Sequence, residues 1–179
     1  MTKKSISILL PDFSGGGAER ANLELAYEFA RREYYVEFVL MQIRGELLAE
    51  AQSAFSIINL NCSRLRSLPK ILINYLRKSR PDILITSMWP LTIIAPLSQI
   101  LSRQDCKVLI CEQNFLSVQY QKKSWLNWII MRATMALCYR LAFIRIGVST
   151  GVVNDIASLS GLSQQMFDVV HNPVKPYAE

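Results

Sequence analysis

The 179-residue chain has one histidine, His171, and no Cys-x-x-Cys pair among its four cysteines, Cys62, Cys106, Cys111 and Cys138. A His-rich metal site cannot be built from that set, and a zinc enzyme is excluded. Glycine and proline number only seven each, which excludes a collagen-like or low-complexity polymer. Charged residues make up 19% and apolar residues 51%, so intrinsic disorder is excluded as well. Met1 to Ser5 is basic, but the apolar run behind it stops at Leu10, too short for a signal-peptide core. The expectation is reduced, mostly buried thiols in a cytoplasmic protein. The length suits one domain that buries roughly 70% of its unfolded surface without disulfides or metal.

The net charge of +6 is unevenly placed. Residues 1–63 and 146–179 are each at −2, whereas residues 64–145 carry thirteen basic and three acidic groups. A middle third at +10, with aromatic residues mixed in, points to an anionic partner. No RNA-recognition signature, zinc finger or helix-turn-helix pattern accompanies it, so nucleic acid is not expected.

Short apolar runs alternate with helical patterns. Strands are expected at Ser5 to Pro11, Val36 to Met41, Ser56 to Leu60, Asp82 to Thr86, Lys107 to Cys111, Ile144 to Val148 and Phe167 to Val170. Helices are expected at Ala18 to Arg32, Leu68 to Lys78, Leu91 to Leu101, Trp125 to Phe143 and Val152 to Leu159. Pro96 predicts a kink or boundary in the third of these. Strands apolar on both faces and alternating with helices give an α/β fold: a Rossmann-like, doubly wound, mostly parallel sheet of about seven strands with helices on both faces.

Trp125 to Phe143 is nearly long enough to cross a bilayer, about 28 Å at ~1.5 Å per residue. Arg132 and Arg140 argue against a span, at roughly 2.5–3.5 kcal/mol each at mid-membrane. Two readings stay open: a buried helix with one solvated seam, or an interfacial helix whose Lys122, Lys123, Trp125, Trp128, Arg132 and Arg140 touch anionic lipid.

The sharpest local signal is Pro11-Asp-Phe-Ser-Gly-Gly-Gly-Ala-Glu-Arg20, which ends the first strand and opens the first helix. Gly15, Gly16 and Gly17 let backbone N–H groups approach a ligand, and a helix N-terminus favours an anion. The run is not a phosphate-binding Walker loop, which needs Gly-Lys-Ser/Thr. Nor is it a dinucleotide fingerprint, because Arg20 stands where the third glycine belongs and Met41-Gln42 where an acid would end the second strand.

This segment resembles the start of the N-terminal domain of family 4 glycosyltransferases of the GT-B fold. Arg80-Pro-Asp-Ile-Leu-Ile-Thr-Ser87, Val108-Leu-Ile-Cys-Glu-Gln-Asn114, and Gly147-Val-Ser-Thr-Gly-Val-Val-Asn-Asp155 with Val170-His-Asn-Pro-Val174 are similar to further family segments, in the same order. The resemblance implies a retaining transfer of a sugar from a nucleotide sugar, UDP- or GDP-linked, to an acceptor hydroxyl, with no cofactor and no metal. It implies that residues 1–174 are the acceptor-binding half and that 175–179 begin a linker to a donor-binding domain carrying a pair of glutamates spaced E-x7-E. No such pair occurs in this chain, so the chain alone is expected to be inactive.

By the same resemblance, the three glycines come near the donor diphosphate, and Ser87, Trp89, Asn114 and Ser149 contact acceptor or donor. Glu112 and Gln113 take the catalytic positions. Gln113 stands where relatives often carry histidine and cannot titrate; Glu112 is either a structural hydrogen-bonding carboxylate or a base-like, acceptor-binding one. Ser149 or Thr150 is also expected to cap the following helix, and Trp89 to pack. His171 reads as linker structure. The basic third favours a lipid-linked or polysaccharide acceptor at the inner face of a bacterial-type cytoplasmic membrane. The alternative is a non-catalytic subunit whose partner supplies the donor domain.

Overall fold

The computed structural model describes residues 3–120 and 124–173. Seven parallel strands form one sheet: β1 (Ser5–Leu10), β2 (Tyr35–Leu40), β3 (Ser56–Asn59), β4 (Ile83–Ser87), β5 (Lys107–Glu112), β6 (Ile144–Gly147) and β7 (Asp168–Val169). Their order is β3-β2-β1-β4-β5-β6-β7. Helices α1 (Gly17–Arg31), α2 (Leu48–Ala54), α3 (Leu68–Ser79), α4 (Leu91–Ser102), α5 (Leu116–Gln119), α6 (Trp125–Leu141) and α7 (Thr150–Ser160) connect them. The Rossmann-like expectation holds. Two helices were not expected: α2, seven residues long, and α5, a single turn. Helix α4 continues through Pro96, so the proline does not form the boundary that the sequence allowed. One lost backbone hydrogen bond is tolerated in a helix held between α3 and α6.

The pleat sorts the strand residues into two cores. Ile6, Ile8, Leu10, Phe38 and Leu40 face α1 and α2, where Leu23, Ala26 and Ala51 meet them. Leu9, Val39, Leu84, Val108 and Ile110 face the other way, against Leu72 and Leu76 of α3, Ala95 of α4, Met135 and Tyr139 of α6 and Ile156 of α7. The first face is thinly covered beyond β4. A cavity of about 430 Å³ lies there, between Leu25 and Phe29 of α1 and Ile85, Leu109 and Ile146 of the sheet.

Cys62, Cys106 and Cys138 are buried, Cys111 is half-buried, and none is in a disulfide. Burial pushes the Cys106 and Cys111 thiols up to about 12, which keeps them protonated and unreactive. Among the described residues no helix is long and apolar enough to cross a membrane.

Candidate functional site

Strand order reverses between β1 and β4, and in open parallel sheets ligands bind outside the carboxyl ends of the strands at such a point. The loop that leaves β1 there is the glycine run. Gly15 has φ +91°, and Gly16 is the N-cap of α1. No side chain caps this helix, and Glu19 lies in its first turn. A Cβ on Gly16 would come within 2.5 Å of Glu19 Oε2, so a carboxylate already stands near the positive end of the helix.

A second loop, invisible in the sequence, braces the first. Asp12 is buried and accepts hydrogen bonds from the Ser14 backbone N–H (3.1 Å), Ser14 Oγ (2.5 Å) and Arg44 Nε (2.7 Å). Burial pushes the Asp12 carboxyl up, but those hydrogen bonds outweigh it and hold the group below its ordinary value. The Phe13 N–H donates to Arg44 O at 2.9 Å, and the Leu47 N–H donates to Phe13 O at 3.2 Å. Between them Gly45 adopts φ +115° with its backbone pressed on Phe13. Arg44 and Gly45 thus belong to the site although no motif marked them; an isolated glycine after a strand was the available signal.

The ends of β4 and β5 supply a mouth to the 430 Å³ cavity. Asn22 of α1 donates to Ser87 Oγ at 3.0 Å, tying α1 to β4 beneath that mouth. Gln113, His171 and Asn172 line its rim, with Asn172 Nδ2 donating to Gln113 Oε1 at 3.2 Å. His171, expected as linker only, is held there by a 3.1 Å contact from Nδ1 to Val148 O. Asn114 is exposed just beyond β5.

Glu112 points the opposite way from Gln113, as strand alternation requires. It is 1% exposed, and Thr92 Oγ1 and Tyr139 OH both donate to its Oε1 at 2.5 Å. Burial raises its carboxyl to about 7, with the Thr92, Tyr139 and Trp89 backbone hydrogen bonds opposing. Of its two readings, this geometry is that of a carboxylate holding α4 and α6 to the edge of β5, facing away from the cavity.

Trp89 precedes a cis peptide to Pro90 and stands edge-on to Tyr120, ring centres 4.7 Å apart. With Trp128, Asn127, Ile130 and Met131 these two rings line a separate cavity of about 260 Å³. Ser87 and Trp89, neighbours in sequence, therefore serve different cavities. Ser149 Oγ accepts from the Val152 N–H at 3.2 Å and caps α7. On α6, Trp125, Arg132 and Arg140 are exposed while Trp128 turns inward. Lys122, Lys123 and the proposed linker start at 175–179 lie outside the described residues.

The sequence matches the family model described as Glycosyltransferase Family 4 over residues 15–176. No curated protein matches it. Among solved structures it is similar to the lipopolysaccharide outer core galactosyltransferase WaaB in its apo form, with TM-score 0.67 and 17% identity over 95% of this chain and 46% of that one. HepE of Anabaena in complex with UDP-glucose gives 0.72 and 14% over 95% and 44%. MurG of Acinetobacter baumannii gives 0.64 and 14% over 98% and 47%. This chain thus spans under half the length of these structures.

Proposed function

Because this chain belongs to glycosyltransferase family 4, we propose that it is the acceptor-binding half of a retaining enzyme that transfers a hexose from a UDP- or GDP-linked donor to a membrane-associated acceptor. The observation that carries the reading is the glycine turn at the point where strand order reverses, locked by Asp12, Arg44 and Gly45. HepE is described with UDP-glucose, and a ligand of that class suits backbone N–H groups at the uncapped start of α1. Glu19 beside that start leaves little room for a second, unneutralised anion. The donor phosphates would therefore be held chiefly from the other side of the cleft.

Gln113 and Asn172 offer amide groups that hydrogen-bond an acceptor hydroxyl without exchanging its proton. Glu112, buried and turned away, positions the β4–α4 loop and does not touch the reactants. The lipid-linked or polysaccharide acceptor and the cytoplasmic face follow from the basic middle third of the chain. One wall of a cleft neither positions two reactants nor excludes water.

The 179-residue chain should accordingly give no sugar transfer from UDP- or GDP-sugars, while a chain extended by a donor-binding domain should. In that extended chain Gln113→Ala should raise the acceptor KM more than it lowers kcat. Turnover by the 179 residues alone would overturn the half-enzyme reading.

A further inference from the structure

Helix α6 is apolar on two opposite faces, with Asn127, Arg132, Thr134 and Arg140 on the flanks between them, and the fold buries only one of the two faces. Met131, Met135, Cys138 and Tyr139 are buried. Leu126, Ile129, Ile130 and Leu137 are each half exposed or more, and Trp125 is 74% exposed. Residues 126, 130, 133 and 137 recur at spacings of four and three, so they form one stripe along the helix, with exposed Ala133 continuing it. The stripe lies opposite the buried face, so packing within the chain does not explain it, and a contiguous exposed apolar patch of this kind marks an interaction site.

Charge identifies the partner. From Gln113 through Asn154 the chain contains no aspartate or glutamate but five cations: Lys122, Lys123, Arg132, Arg140 and Arg145. Arg145 is spent on backbone carbonyls of Tyr139, Ala142 and Met166. Arg132 and Arg140 are exposed: Arg140, which also donates to Ala136 O, borders the stripe one turn beyond Leu137, and Arg132 lies on the adjoining flank of the helix. The ion pairs among the described residues all lie elsewhere, at Arg20, Arg31, Arg32 and Arg44. A second copy seated on this face would set cations against cations. An anionic bilayer supplies hydrocarbon for the stripe and phosphates for the arginines, and the amphipathic indole of Trp125 suits the boundary between them.

We propose that α6 lies in the plane of an anionic membrane, with Leu126, Ile130 and Leu137 inserted among the acyl chains and Arg132 and Arg140 on lipid phosphates. Ile130 both belongs to the stripe and lines the 260 Å³ cavity between Trp89 and Trp128. That cavity therefore opens at the membrane surface, beside the β4–α4 loop, where a membrane-borne acceptor arrives by lateral diffusion. The inference goes beyond the transferase reading and is tested separately from it.

The 179-residue chain is sedimented with phosphatidylcholine vesicles that contain or lack phosphatidylglycerol. Binding is expected on the anionic vesicles. Leu126→Glu with Leu137→Glu should weaken it at least about tenfold, because two inserted side chains are lost, with circular dichroism unchanged because neither residue is buried or lines a cavity. Arg132→Gln and Arg140→Gln should each cut the preference for anionic vesicles roughly fivefold. Lipids brominated in the acyl chain should quench the wild type more than Trp125→Phe. Unchanged sedimentation of the Glu pair, binding indifferent to lipid charge, or a dimer that the Glu pair dissolves would each overturn the proposal. Sugar transfer by the extended chain to a water-soluble acceptor requires no vesicle, so failure here and failure of the transferase reading are distinguishable.

Discussion

Replacing Gly45 with alanine is expected to lower the melting temperature by roughly 5–20 °C, taking about 2–4 °C per kcal/mol for a chain of this size. At φ +115° an L side chain is strained, at a cost of about 1–3 kcal/mol. The new Cβ would also lie 2.0 Å from the carbonyl carbon and oxygen of Phe13. Backbone cannot swing aside as a side-chain end can, so the glycine loop itself must move, and overpacking of this kind costs about 1–3 kcal/mol more.

Gly17→Ala is the control. No heavy atom lies within 4 Å of its added methyl, and the site opens a helix, so stability should hold or rise by about 0.4–1 kcal/mol. Thermal denaturation of both variants decides the matter. A Gly45→Ala protein as stable as wild type would mean that the 44–47 loop does not clamp Phe13 and Ser14. On the proposed transferase reading, the same variant in a chain extended by a donor-binding domain should lose affinity for nucleotide sugar, because the turn that presents the N-terminus of α1 has shifted.

The contrast between these glycines shows what the sequence could reveal. Gly15 to Gly17 advertise themselves because three glycines between a strand and a helix are a local pattern. Gly45 acts through Phe13, more than thirty residues away, a contact that exists only because β1 and β2 are neighbours in the sheet. The seven strands were legible for the local reason that apolar runs alternate with helical ones, and their bounds moved by a residue or two. Helix α2 was not, since Leu48 to Ala54 is too short to show a period. Glu112 was legible in part: Val108 and Ile110 share its parity and face the α4–α6 core, so alternation alone sends Glu112 inward and Gln113 outward. The family resemblance places the same residue beside a ligand-edge loop, which is why both readings of Glu112 stay open in the sequence. His171 and Asn172 reach the cavity rim only once β7 has been laid beside β6.

The buried position of Glu112 leads to a second large effect, on the pH dependence of stability. Its folded value of about 7 lies above the ordinary 4.5 because the carboxylate has been taken out of water. Between those two values the folded chain retains a proton that the unfolded chain has released. Stability contributed by this group is therefore complete below about pH 4.5, falls as pH rises toward 7, and levels off above that. Over the interval the loss amounts to about 3 kcal/mol.

Glu112→Gln stays neutral at every pH, so urea denaturation from pH 5 to pH 8 should show that slope in the wild type and its disappearance in the variant. Tyr139→Phe should separate burial from hydrogen bonding. Its hydroxyl donates to a neutral group at pH 5 and to a carboxylate at pH 8, so its removal should cost about 0.5–1.5 kcal/mol at the lower pH and about 1.5–3 at the higher. Parallel pH profiles for wild type and Glu112→Gln would mean that Glu112 is ionised and solvated, and the carboxylate would then have to be returned to the list of groups that can meet a substrate.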